Sequence, residues 1–126
     1  MPRIGHFEQA YDDPEAAAKF YKEVFGWKIE VWNGGEQPYW MVTTGPDTEL
    51  PGINGGFAKK MPNVPSVVNT IIVDDIDGYI KKVEDAGGKL MMPKMAIPGM
   101  GYQAYCVDPG GVGIGLHQAD NSATQD

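Results

Sequence analysis

Two stretches of the chain carry apolar residues at helical spacing. Residues 12–26 read DDPEAAAKFYKEVFG and residues 74–88 read DDIDGYIKKVEDAGG. In each stretch an aspartate can cap the start of a helix and a glycine can adopt the left-handed conformation that ends it. For the first helix, the predicted start is Asp13 with Pro14 at the first helical position, and the predicted end is Gly26. For the second helix, the predicted start is Asp75 and the predicted end is Gly87 or Gly88. The predicted apolar stripe of the first helix consists of Ala17, Phe20, Tyr21 and Val24. That of the second helix consists of Ile76, Tyr79, Ile80 and Val83.

Alternating or short apolar runs around the two helices predict strands. In the first half these runs are RIGHFEQAY, WKIEVW, YWMVTT and GINGGFA, the last at residues 52–58. In the second half they are VVNTIIV, KLMM, GYQAYCV and VGIGLHQ. Each half therefore reads strand, helix, strand, strand, strand.

The two halves are a repeat. A shift of 62 positions pairs Asp12, Asp13, Lys19 and Gly26 with identical residues in the second half. We predict one α+β domain, residues 1–126, made of two tandem βαβββ modules (3–60 and 67–118), a linker (61–66) and a polar tail (119–126). Because either half alone would leave an apolar sheet face uncovered, we expect a curved mixed sheet with helices outside and a cavity within.

Composition and charge exclude several classes of function. The formal net charge of −7 disfavours binding to a nucleic-acid backbone, so we expect no nucleic-acid partner. No apolar run reaches the length of a membrane helix, and the N-terminus lacks a secretion signal, so we expect a cytoplasmic protein without a membrane partner. The single cysteine, Cys106, forms no internal disulfide, and neither a serine nucleophile constellation nor a phosphate-binding loop is present.

Three segments together resemble the glyoxalase, bleomycin-resistance and dioxygenase superfamily, also called vicinal oxygen chelate proteins. They are HFEQAYDDPEAAAKFYKEVFGW, VDDIDGYIKKVEDAGGK and YCVDPGGVGIGLHQ. Within the family the chain is most similar to predicted enzymes related to lactoylglutathione lyase. The resemblance implies paired βαβββ modules around a cavity that binds a small molecule, often with a divalent metal, and it implies a homodimer.

The resemblance also implies four metal-ligand places, of which only one keeps a ligand. His6 matches the first. The second place falls at Val68 or Asn69, the third at Ile53, Asn54 or Gly55, and the fourth at Gly115. None of these residues is a histidine or carries a carboxylate. We therefore predict that the inherited metal site is lost and that no cofactor is bound. The alternative is a rebuilt divalent-metal site of His6, Glu8 and His117, which has the composition of a two-histidine, one-carboxylate site.

His6 and Glu8 share a face of the first strand and are the predicted catalytic residues. His6 can bind or protonate a ligand while Glu8 holds its tautomer, and the competing interpretation is a histidine packed in the sheet. The predicted ligand-binding residues are Tyr39, Trp40, Met41, Asn69, Tyr102, Gly113, Gly115 and His117. Half of the aromatic residues must face away from the cavity. The two glycines are interpreted either as room for a ligand or as notches filled by Trp or Tyr from a neighbouring strand.

Residues 91–102, MMPKMAIPGMGY, have the composition of a pliable apolar loop. Such a loop would cover the cavity mouth or bury its methionines in a dimer contact. The leading hypothesis is a protein that binds a small organic molecule, and the sequence leaves open whether a reaction follows. The alternatives are a metal-dependent lyase, isomerase or dioxygenase and a protein that sequesters a drug or metabolite.

Overall fold

The computed structural model of the protein describes residues 1–35, 37–45 and 50–124. The elements follow the order βαβββ twice, which confirms the α+β class. In the first half they are β1 (Arg3–Tyr11), α1 (Pro14–Phe25), β2 (Lys28–Trp32), β3 (Tyr39–Thr43) and β4 (Gly55–Lys59). In the second half they are β5 (Val67–Ile72), α2 (Ile76–Asp85), β6 (Lys89–Ile97), β7 (Gly101–Val107) and β8 (Gly113–Ala119). Neither of these two described helices is long and apolar enough to cross a membrane.

The eight strands of the described residues form one curved mixed sheet, as predicted. The strand order is β2-β3-β4-β1-β5-β8-β7-β6, so each half keeps its own four strands together. The halves meet where β1 runs antiparallel to β5, with Phe7 opposite Asn69. Within the halves, β1 pairs parallel with β4 and β5 pairs parallel with β8. The two modules therefore pair within one chain through their first strands.

Both helices begin and end at the signals found in the sequence. The side chains of Asp13 and Asp75 each accept a hydrogen bond of 3.1 Å from the backbone N–H three residues further on. Gly26 follows α1 with φ of 71°, and Gly87 follows α2 with φ of 97°. These are left-handed conformations that a residue without a Cβ adopts without strain.

The helices pack on one side of the sheet, called here the helix face, and each covers a separate core. The buried residues of the first core are Ala18, Ile29, Trp40, Val42 and Phe57. Those of the second are Val73, Ile76, Ala104, Cys106 and Leu116. Burial of this apolar surface is the main stabilisation of each half. Cys106 is a small buried hydrophobe, as expected for a lone cysteine among apolar neighbours.

The predicted stripe is correct for α2 but only partly correct for α1. All four α2 stripe residues belong to or pack against the second core. In α1, Phe20 and Val24 are each 54% exposed, and Ala18 takes the central buried position. The Tyr21 ring lies parallel to Trp27 at 4.9 Å and also contacts Phe57. Large rings already fill the space under α1, so the helix brings its smallest residue closest to the sheet.

Residues 91–102 form a strand and a short turn rather than a pliable loop. Strand β6 continues through Ile97, and β7 begins at Gly101. The register of the β6–β7 pair shifts on both sides of Met92. β6 is an edge strand, and an edge tolerates Pro93 because the missing N–H need not face a partner strand. Composition alone misled the prediction here because methionine and proline suit an irregular edge strand as well as a loop.

Candidate functional site

A cavity of about 1050 Å³ opens on the sheet face opposite the helices, called here the cavity face. Alternation along β1 directs His6 and Glu8 into this cavity, while Phe7 between them packs on the first core. Other polar residues of the floor come from β3, β5, β7 and β8. They are Tyr39, Thr70, Gln103, Tyr105 and His117. Both halves of the chain therefore build one site.

Glu8 and Tyr105 join the two halves at the floor. Glu8 is only 7% exposed, and the Tyr105 hydroxyl lies 2.7 Å from both carboxylate oxygens. Burial raises the pKa of Glu8, and the hydrogen bond from Tyr105 offsets part of that rise. Burial and the nearby Glu8 charge raise the pKa of Tyr105, so the phenol stays neutral. A buried carboxyl group with a raised pKa is suited to exchanging a proton with a bound molecule.

His6 forms the second polar pair of the floor. Its Nε2 lies 2.8 Å from the Tyr39 hydroxyl. Gly56 makes this contact possible, because a Cβ at that position would overlap the Tyr39 hydroxyl. Burial lowers the pKa of His6, and the nearby His117 lowers it further, so the ring is neutral at neutral pH. Burial and the charge of Glu8 raise the pKa of Tyr39.

His117 and Gln103 form the third pair, with 2.9 Å between His117 Nδ1 and Gln103 Oε1. Burial lowers the pKa of His117, and a hydrogen bond to the Met100 backbone partly opposes this shift. The prediction did not include Gln103, which is 5% exposed. Gln103 lies two residues before Tyr105, so alternation along β7 puts both side chains on the same face.

The space beside Gly115 is occupied by the side chains of Thr70, Gln103 and Val68. A Cβ there would lie 2.7 Å from Thr70 Oγ1, 3.1 Å from Gln103 Nε2 and 3.1 Å from Val68 Cγ1. At Gly113 a Cβ would overlap the Pro65 ring. The two glycines therefore admit neighbouring side chains, which are not the Trp or Tyr that one interpretation named.

The structure separates the other predicted site residues. Met41 lines the cavity, and Tyr102 borders it while also packing against the second core. Trp40 lies on the helix face, where its Nε1 donates a hydrogen bond of 2.8 Å to Glu15. Asn69 is exposed and lies between Val68 and Thr70, whose side chains are buried. Trp40 is therefore a core residue, and Asn69 does not line the cavity.

The walls of the cavity are rich in thioether and aromatic side chains. Five of the seven methionines line it: Met41, Met61, Met92, Met95 and Met100. Trp32 and Pro98 also contribute. Methionine side chains are flexible and polarisable, so this wall can adapt to apolar molecules of different shape. Three of the four methionines of residues 91–102 thus border the cavity as part of its wall and rim.

The donor set does not fit the metal that the resemblance implies for metal-dependent members. Of the places where the resemblance put the missing ligands, Val68 and Gly115 lie on the same sheet face as Thr70, and neither offers a donor side chain. Gly55 faces Phe7 on the other side of the sheet. Both oxygens of Glu8 contact Tyr105. Across residues 1–35, 37–45 and 50–124, no three His, Cys, Asp or Glu side chains form a group able to hold an ion.

Comparison with known proteins agrees with the fold. Among relatives, CFP32 of Mycobacterium tuberculosis is 36% identical over 116 residues, covering 86% of this chain and 42% of that protein. The anthracycline biosynthesis protein DnrV of Streptomyces peucetius is 29% identical, covering 87% of this chain and 44% of DnrV. The chain thus spans less than half the length of these relatives.

A solved structure and a family model complete the comparison. Methylmalonyl-CoA epimerase of Streptomyces coelicolor superposes with a TM-score of 0.68 over 97% of each chain. At 16% identity this likeness concerns the fold alone. The model of the Glyoxalase/Bleomycin resistance protein/Dioxygenase superfamily matches residues 3–116. The chain therefore belongs to the glyoxalase/bleomycin resistance protein/dioxygenase superfamily.

Proposed function

We propose that this protein binds a small, largely apolar organic molecule in the cavity and holds it without a protein-bound metal. The observation that carries the proposal is the cavity of about 1050 Å³, which combines an apolar wall with a few polar groups at its floor. Sites for small molecules have this composition and size. DnrV is named for anthracycline biosynthesis, and a planar aromatic molecule suits a wall of methionine and aromatic side chains.

Glu8 is the group best suited to transfer a proton to or from the bound molecule. It is buried, its pKa is raised, and it lies on the same face of β1 as His6. Catalysis of this kind would make the protein a lyase or isomerase that works by general acid–base chemistry. Sequestration without turnover is the second candidate, favoured by the adaptable methionine wall.

The binding test uses Trp32, which lines the cavity, as a fluorescent reporter. Titration with uncharged aromatic compounds should quench its emission with a saturable curve. Ala58→Phe places a ring in the cavity and should weaken binding by about tenfold or more. Ala86→Phe is the matched control, because Ala86 is exposed at the end of α2 and does not line the cavity. Equal affinity in both variants would contradict the proposal.

Two further measurements separate the alternatives. Elemental analysis of protein purified without chelator should find less than about a tenth of an equivalent of divalent metal. A full equivalent that is lost in His6→Ala would support the rebuilt metal site instead. For any compound that binds, conversion by the wild type but not by Glu8→Gln would identify an enzyme, and binding without conversion would identify a sequestering protein.

Assembly as a homodimer, which the resemblance implies, stays part of the proposal. Exposed Phe20, Val24 and Phe25 form an apolar surface on α1 that a second copy could cover. Light scattering during size-exclusion chromatography should give twice the monomer mass of 13.7 kDa. A monomer at all concentrations would remove this part and leave the binding proposal intact.

A further inference from the structure

We propose that the ligand carries an uncharged hydrogen-bonding group, such as a phenol or alcohol hydroxyl, that docks beside Thr70 at the cavity floor. This inference rests on the proposed function and narrows its ligand class. It comes from three features of the floor: the neutral partners of its ionisable groups, the position of the nearby cations, and a hydroxyl without a partner.

Each ionisable group of the floor is paired with an uncharged group. Glu8 contacts the Tyr105 hydroxyl, His6 the Tyr39 hydroxyl and His117 the Gln103 amide. Among the described residues, no lysine or arginine forms an ion pair with Glu8. An anionic head group at the floor would meet the Glu8 carboxyl without a counter-charge, and burial of an unpaired charge is costly. An uncharged head group avoids this cost.

The lysines that border the cavity lie on its exposed rim. Lys94 Nζ is 3.1 Å from Asp77 Oδ2 on α2, and it lies over the Tyr102 ring at 5.3 Å from the centroid. Lys60 is exposed and faces Asp12 at 3.8 Å, and Lys59 is exposed as well. These ammonium groups can meet a charged substituent at the mouth of the cavity, but they are not placed to neutralise one at the floor.

Thr70 supplies the unused hydrogen-bonding capacity. It lines the cavity on β5, is 1% exposed, and its Oγ1 has no hydrogen-bond partner within the part of the chain that the structure describes. Buried hydroxyl groups in proteins almost always have a partner, so an orphan of this kind marks a place for a ligand or an ordered water. Gln103, whose Nε2 lies near the same Gly115, also lines the cavity. A ligand hydroxyl that reaches Thr70 from the cavity meets an uncharged donor and acceptor, with the Gln103 amide beside it.

The test compares three probes of one shape: 4-phenylphenol, biphenyl and biphenyl-4-carboxylate. Binding is followed by Trp32 fluorescence in the wild type, Thr70→Val and Thr70→Ser. We expect the wild type to prefer 4-phenylphenol to both other probes. Thr70→Val, which keeps the shape and removes the hydroxyl, should weaken 4-phenylphenol binding about 3- to 10-fold and leave biphenyl binding unchanged. Thr70→Ser should retain the preference.

Three other outcomes are decisive. Tighter binding of the carboxylate than of the phenol, or equal loss of phenol and biphenyl in Thr70→Val, would overturn the uncharged head group while leaving the proposed function standing. Unchanged phenol binding in Thr70→Val would overturn the role of Thr70. Failure of all three probes to bind the folded wild-type protein, with thermal melting as the check of folding, would overturn the proposed function itself.

Discussion

The two halves of the protein share a backbone plan but fill it with different side chains. Both helices begin at an aspartate cap, and a glycine with positive φ follows each. Under α1 the core is aromatic, with stacked Tyr21 and Trp27 above Phe57. Under α2 the fully buried side chains are aliphatic apart from Cys106. The repeat therefore preserves the residues that begin and end each helix, while the space between helix and sheet is filled by different side chains in each half.

The halves also differ in what they contribute to the cavity. The first half provides the buried carboxyl group of Glu8 and the His6–Tyr39 pair. The second provides Tyr105, whose hydroxyl satisfies Glu8, together with the Gln103–His117 pair. The polar floor is complete only when β1 and β5 hold the halves together. Stability and site geometry should therefore depend on both cores.

The largest expected effect comes from emptying either core. Phe57→Ala in the first half should lower the free energy of unfolding by about 3–5 kcal/mol, and Ile76→Ala in the second by about 2–5 kcal/mol, since both side chains are fully buried. All three tryptophans lie in the first half, so fluorescence reports that half and circular dichroism reports the whole chain. If the halves fold as one unit, both probes should give one urea transition in both variants. Separate transitions in Ile76→Ala would show that the halves unfold independently.

Removal of the contact between the halves should have an intermediate effect. Tyr105→Phe leaves the buried Glu8 carboxyl without its hydroxyl partner and should cost about 1–3 kcal/mol at neutral pH. Glu8→Gln keeps a hydrogen-bonding partner for Tyr105 and should cost less than Tyr105→Phe. Urea unfolding of the two single variants and the double variant measures the coupling. A double variant whose cost is the plain sum of the single costs would show that the two side chains do not interact.

The pH dependence of stability should contain opposing contributions from the floor. The pKa of Glu8 is raised above 4.5, so the folded state holds its proton longer and stability falls as pH rises through this window. The pKa values of His6 and His117 are lowered below 6.5, so the unfolded state binds protons first and stability falls as pH drops below 6.5. Glu8→Gln removes the first contribution. Its stability should rise more steeply between pH 4.5 and 6.5 than that of the wild type, and parallel curves would contradict the assignment.

The sequence predicted the backbone better than the positions of individual side chains. Caps, alternation and the repeat depend on local spacing, so the element order and the curved sheet followed from them. Trp40 was assigned to the cavity because aromatic residues cluster on β3, but an aromatic residue fits either face. Which face β3 turns to the helix depends on its pairing with β4, where Trp40 lies opposite Phe57. That register depends on contacts between residues that are far apart in the sequence.

The site could be predicted only in part for the same reason. His6, Glu8 and His117 carry chemistry that marks them as candidates, and all three line the cavity. Thr70 was not recognised because threonine in a strand is ordinary. Only its burial, and the absence of a partner for its hydroxyl among the described residues, distinguishes it. Such information requires the packed structure.

The smallest expected effects come from the helix N-termini, where the two halves differ in how the backbone of the first helical position is satisfied. Asp13→Ala and Asp75→Ala should each lower the free energy of unfolding by about 1 kcal/mol, because each leaves a backbone N–H without its acceptor. At the first helical position, Pro14 of α1 has no N–H, whereas Ile76 of α2 donates to Gln118 Oε1 at 3.0 Å. Gln118→Ala should therefore cost about 0.5–1.5 kcal/mol, and Gln118→Glu, which keeps the acceptor, should cost less. Thermal and urea unfolding measure these differences. A Gln118→Ala variant as stable as the wild type would show that water replaces the side chain and that α2 needs no support from β8.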